Sequence, residues 1–122
     1  MAECRGLWHG YRFRLDLSDY FQRLDYSLRR YHDGPLQQLI RHAVRPGDTV
    51  IDAGANHGLV SLFAAWCVGP TGCVHAFEPN PRMLDQLRWH TEHNGLNQIC
   101  VHPCGVSDRE EELELRVPGG DN

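Results

Sequence analysis

The chain has 122 residues, 41% of them hydrophobic and 23% charged, with a formal charge of −4. That length allows one domain with a modest core, and its twelve basic residues, all arginine, are scattered instead of forming the stripe of a nucleic-acid-binding face. The first thirty residues hold no secretory h-region, and the longest apolar run, Leu59 to Val68, is too short to cross a bilayer, so neither a nucleic-acid partner nor a membrane is expected.

In chain order, Gly10 to Leu17 alternates apolar and polar residues, the pattern of a half-exposed strand. Ser18 or Asp19 caps a helix running to about Arg30. Asp33-Gly34-Pro35 breaks it, and Pro35 starts a second helix through Ala43. After the turn Arg45-Pro46-Gly47-Asp48, Thr49 to Ile51 reads as the first core strand, apolar enough for burial on both faces. His57 or Gly58 opens a helix to about Val68, with Leu59, Leu62, Phe63 and Trp66 at helical spacing. Gly69-Pro70-Thr71-Gly72 turns into a second core strand, Cys73 to Phe77. Asn80-Pro81 caps a helix that reaches about His93 and stops at Asn94-Gly95. Ile99 to His102 is the third core strand. Glu112 to Val117 alternates again as a surface strand before the closing turn Pro118-Gly119-Gly120.

Strands alternating with helices predict a mostly parallel α/β sheet. Residues 1–48 would lead into the domain, and residues 49–122 would form a nucleotide-binding βαβαβ unit. Ligands of such sheets sit beyond the carboxyl ends of the strands. Asp52, Gly54 and Glu78 all fall at that edge, with Glu78 lying 26 residues beyond Asp52.

Gly54 lets the chain turn off the strand with no Cβ in a ligand's way, and Gly58 lets the next helix start pack closely. Free amides at a helix start attract an anion. Glu78 can accept two hydrogen bonds from a ribose diol, as an acid at a similar spacing does in dinucleotide folds. Asp52 separates the two classes: an acid just before the first glycine suits a ligand with an ammonium there, and S-adenosylmethionine has one. Packing alone could account for the glycines, and helix-dipole stabilisation for Glu78, but neither explains acids at two neighbouring strand ends. Asn56 either bonds the turn's own backbone or touches the donor's amino-acid end. Asp108 either serves an ordinary turn or reaches an adenine amine.

Five cysteines without a CxxC pair point to reduced thiols and a cytoplasmic protein. Cys100, His102 and Cys104 share a strand face, but a fourth ligand has no source, so no metal is assigned. His57, His75, His90, His93 and His102 show no partner spacing, and His90 with His93 reads as a solvated helix pair.

These segments together resemble the FkbM family of S-adenosylmethionine-dependent methyltransferases from about Asp16 to Val117. The resemblance is carried by Asp16-Leu17-Ser18-Asp19-Tyr20, Arg45-Pro46-Gly47-Asp48, Asp52-Ala53-Gly54-Ala55-Asn56 with Gly58, Phe77-Glu78-Pro79-Asn80-Pro81, Asn94-Gly95-Leu96 and Val106-Ser107-Asp108-Arg109-Glu110. It implies a Rossmann-like class I methyltransferase fold, truncated after about the third core strand. It also implies S-adenosyl-L-methionine as cosubstrate and transfer to a hydroxyl of a small molecule or sugar. By motif, Asp52, Gly54, Asn56 and Gly58 would contact the methionine part, Glu78 the ribose and Asn80 the adenine edge.

The family continues into a fourth strand and an acceptor pocket that this sequence does not reach. The glutamate carried before the first core helix is also missing; Asp33-Gly34 stands near its place. The expectation is a donor-binding fragment with no evident general base, prone to self-association through a sheet edge that lacks its fourth strand. The alternatives are a non-catalytic nucleotide- or protein-binding remnant, and a dinucleotide oxidoreductase fragment, disfavoured by Asp52 and the absence of GxGxxG.

Overall fold

The computed structural model describes residues 1–5 and 9–117; the predicted turn Pro118-Gly119-Gly120 lies outside the described residues. Three parallel strands form the main sheet: β3 (Thr49–Ala53), β4 (Cys73–Phe77) and β5 (Ile99–His102), in the order β3-β4-β5. They are linked by α3 (Leu59–Val68) and α4 (Pro81–His93). Before them come β1 (Ala2–Arg5), β2 (Arg12–Leu15), α1 (Tyr20–Leu28) and α2 (Gly34–Ala43). β1 and β2 form an antiparallel hairpin in which Ala2 faces Leu15 and Arg5 faces Arg12.

Local chemistry sets most boundaries. Asp19 caps α1 by accepting the Gln22 N–H at 2.9 Å, and Arg29 ends it in the left-handed region. Asp33 caps α2 through the Leu36 N–H at 3.0 Å, with Pro35 in the first turn. Asn80 caps α4 through the Arg82 N–H at 3.1 Å, with Pro81 leading the helix.

α3 packs on all three parallel strands and α4 on β5 and β2. Leu59, Leu62, Ala64, Ala65 and Val68 meet Val74, Ala76 and Ile99 there, joined by Phe13 and Leu15 from the hairpin. α4 also serves β2 as a neighbouring strand would. Asn94, His90 and Gln86, spaced four residues apart on one helical face, bond its backbone. Arg12 N–H donates to Asn94 Oδ1 at 2.7 Å, Arg14 N–H to His90 Nε2 at 2.8 Å, and Gln86 Nε2–H to the Arg14 carbonyl at 2.9 Å.

Three expectations need correction. β3 is covered on one face only: Thr49, Ile51 and Ala53 are exposed, Ile51 by 68%, because no described element packs on that side of the sheet. His90 is fully buried, not solvated, since its ring completes the β2 ladder. Residues 112–117 form no strand; they are exposed and irregular, with no strand beside them to pair with. No helix among the described residues is long and apolar enough to cross a membrane.

Candidate functional site

The candidate site is built where β3 and β4 end. Three residues of the turn after β3 have positive φ: Gly54 at 81°, Asn56 at 54° and Gly58 at 94°. Gly58 is required twice over, because a Cβ there would lie 2.4 Å from Leu87 Cδ1. A Cβ at Gly54 would meet no atom within 4 Å, so the inner side of the turn is open space. The turn is tied to β4 by the Gly54 and Ala55 N–H groups, both donating to the Phe77 carbonyl at 2.9 Å.

Glu78 secures the same turn. Its Oε2 accepts the Asn56 N–H at 2.8 Å and its Oε1 accepts the Asn80 N–H at 2.7 Å. With the residue 7% exposed, this carboxylate is an internal brace, and each oxygen keeps a lone pair for a further donor. Asn56 uses its own Oδ1 to accept the His57 N–H at 2.8 Å, which places its side chain in the turn-stabilising role.

Asp52 turns toward α3 and accepts the Ser61 hydroxyl at 2.5 Å. Burial raises its pKa above the ordinary carboxylate range; the Ser61 bond opposes this and the charge of Glu78 adds to it. An ammonium beside it would reverse that shift.

A cavity of about 220 Å³ lies against the turn, lined by Asp19, Phe21, Tyr31, His32, Gly54, Asn56 and His57 among others. His57 is nearly buried, and its Nε2 has no hydrogen-bond partner among the described residues. Burial, reinforced by the neighbouring His90, lowers its pKa to about 4. His32 also lines this cavity, with ring Nδ1 and backbone N–H both 2.9 Å or less from the fully buried Asp25 Oδ1. Burial raises the Asp25 pKa, while His32 pulls it down.

The structure therefore brings Asp52, Gly54, Asn56, Gly58, Glu78 and Asn80 together around one turn. Asp108 is not among them: it is exposed, 3.3 Å from Ser107 Oγ in the irregular segment after β5, and no described contact joins it to the turn. Sequence reasoning missed Asp25, His32 and the cavity face of His57. Asp25 carries no local signal, since a single acid on a short helix reads as solvent-facing.

The three-stranded parallel sheet with its crossover helices is shared with solved S-adenosylmethionine-dependent methyltransferases and is consistent with a Rossmann-like fold. A solved SAM-dependent O-methyltransferase from Thermotoga maritima shares that fold with a TM-score of 0.57 at 23% identity, over 65% of this chain and 31% of its own. A structure described as an rRNA methylase from Clostridium thermocellum also gives 0.57, at 26% identity, over 59% of this chain and 39% of that one.

Within that class the sequence is similar to the amino-terminal portion of FkbM-type methyltransferases. It is 44% identical over 71 residues to 31-O-demethyl-FK506 methyltransferase FkbM of Streptomyces tacrolimicus, covering 57% of this chain and 26% of that protein. Aklanonic acid methyltransferase DauC of Streptomyces sp. strain C5 is 34% identical over 55 residues, covering 45% of this chain and 25% of that protein. The chain thus spans about a quarter of the curated relatives it matches. No family model matches it.

Proposed function

We propose that this chain is the donor-binding part of a methyltransferase that uses S-adenosyl-L-methionine and methylates a hydroxyl of a small molecule or sugar in a reducing, cytoplasmic compartment. The observation that carries the proposal is the open glycine turn held between two strand-end carboxylates. The donor supplies a methyl group on a positively charged sulfur. Asp52 offers a carboxylate to its ammonium, the N–H groups at the start of α3 face its carboxylate, and the remaining lone pairs of Glu78 suit a ribose diol. The Asn80 side-chain N–H₂ remains for the adenine edge, its Oδ1 being the α4 cap.

The cavity supports an assignment on the acceptor side. His32, oriented by buried Asp25 as the histidine of a hydrolase triad is by its aspartate, takes the hydroxyl proton as the oxygen acquires the methyl group. Positioned bases of this kind contribute on the order of 10²–10⁴ in rate. Amide shifts on adding S-adenosylhomocysteine test the donor assignment: the proposal expects them to concentrate at Gly54, Asn56 and Glu78. In a methyl-transfer assay with the acceptor-binding part of the enzyme supplied, His32→Gln should lower kcat and leave donor affinity unchanged. Shifts elsewhere in the chain would remove the donor site; an unchanged kcat would remove His32 alone. RNA methylation with no transfer to small hydroxyls would overturn the acceptor class.

A further inference from the structure

The sheet face left open by α3 and α4 carries a second group of reactive side chains. Register places His75 opposite Cys100 and Phe77 opposite His102 on adjacent strands, with Cys73 on the same face two residues before His75. Cys73 Sγ lies 3.9 Å from Cys100 Sγ and 3.5 Å from His75 Nε2. One donor atom from each of the three residues lies within 4.8 Å of the others. Tetrahedral coordination, with metal–sulfur bonds of about 2.3 Å and metal–nitrogen bonds of about 2.0–2.1 Å, sets donor–donor edges of roughly 3.8 Å for S···S and 3.6 Å for S···N. Two of the three edges match those lengths, and the third, between Cys100 and His75, is within 4.8 Å.

We propose that Cys73, His75 and Cys100 form a binding site for a soft divalent cation, zinc above others, with the fourth position open to water or an external ligand. Two thiolates and an imidazole favour such a metal over magnesium or calcium. The second nitrogen of His75 supplies independent support. A metal-bound imidazole commonly donates its other N–H to a neighbour that fixes its tautomer, and His75 Nδ1 lies 3.0 Å from His102 Nε2. His102 is itself held by stacking on Phe77, centroids 4.4 Å apart at 13°. Cys104, which sequence spacing grouped with Cys100 and His102, stands outside the cluster. Binding turns two thiols into thiolates and releases two protons to solvent, with no change of oxidation state.

Cobalt(II) titrated into the reduced full chain tests the site, because its absorption reports both geometry and sulfur ligation. One equivalent should give tetrahedral visible bands with thiolate-to-cobalt charge transfer, displaced by zinc. His102→Ala should weaken binding roughly 10- to 100-fold, Cys73→Ser and Cys100→Ser should each weaken it more, and Cys104→Ser should leave it unchanged. Cys100 is exposed, so Cys100→Ser gives a reading even if Cys73→Ser disturbs the fold. A weak octahedral spectrum, a tetrahedral one that survives both serine variants, or equal loss in Cys104→Ser overturns the proposal.

Discussion

Glu78 and Asn56 are joined across the mouth of the site: the Glu78 carboxylate accepts the Asn56 N–H at 2.8 Å with one oxygen and the Asn80 N–H at 2.7 Å with the other. In the proposed function this carboxylate also meets a ribose, and the turn it holds meets the methionine end of the same ligand. Donor affinity and the local fold would then be coupled through a single side chain.

Glu78→Ala should therefore lose both. A hydrogen bond to a charged group contributes about 1.5–3 kcal/mol, so S-adenosylhomocysteine affinity should fall roughly 10- to 150-fold, with a lower melting temperature. Glu78→Gln should be nearly as damaging, because one backbone N–H would then face the amide's own N–H₂. Calorimetry and thermal melts check this. Full stability in Glu78→Gln would show that the brace does not depend on two acceptors.

Gly58 and Gly54 should behave differently although both have positive φ. Gly58→Ala adds a Cβ 2.4 Å from Leu87 Cδ1, so overpacking of about 1–3 kcal/mol joins a left-handed backbone cost of roughly 1–2 kcal/mol. Gly54→Ala carries only the backbone cost, since its Cβ points into open space, yet it intrudes where the ligand would lie. Urea unfolding should rank Gly58→Ala as the less stable variant, and calorimetry should show that Gly54→Ala loses more donor affinity than its stability loss implies.

The site's glycines, acids and caps were legible because each is written in a few consecutive residues: a strand, an acid at its tip and a turn. The ladder of Gln86, His90 and Asn94 was not, since polar residues four apart on a helix look like its solvent face until β2 is placed beside them. Asp25 and His32 meet only through the break between α1 and α2. The open face of β3 and the irregular residues 112–117 share one reason. Apolar runs and alternation report what a strand could bury or pair with, and the neighbour that would do so is not encoded locally.

Acid should destabilise the fold through two histidines. Burial lowers the folded-state pKa of both His57 and His90 to about 4 from an ordinary 6.5. Above 6.5 both are neutral in either state and the stability they support is fully present. Between about 6.5 and 4 the unfolded chain binds protons the fold refuses, so stability falls by on the order of 2–3 kcal/mol per histidine. Asp25 and Asp52, with raised pKa values, act in the opposite direction over the acid range and soften the loss. Protonated His90 could no longer accept the Arg14 N–H. Urea midpoints at pH 7 and 4.5 should differ clearly in the parent chain and less in His90→Gln; equal differences would remove His90 from the account.

β3 pairs with β4 alone among the described residues, and its open face exposes Ile51. Exposed apolar edges promote pairing between chains. The purified chain should self-associate in a concentration-dependent way, with fast amide exchange along Val50 and Ile51, and Ile51→Arg should reduce the association. A monodisperse parent with slow exchange at both residues would show that this edge needs no cover.

Calorimetric competition between S-adenosylhomocysteine and NAD, in the parent chain and in Asp52→Asn, separates a methyl-donor site from a dinucleotide site. S-adenosylhomocysteine should bind, and NAD should not displace it. Affinity should weaken as pH falls and Asp52 protonates, and Asp52→Asn, which cannot carry the charge, should remove most of that pH dependence. NAD binding as tightly as S-adenosylhomocysteine, or an Asp52→Asn chain with unaltered affinity and pH profile, would contradict a methyl-donor site at this turn.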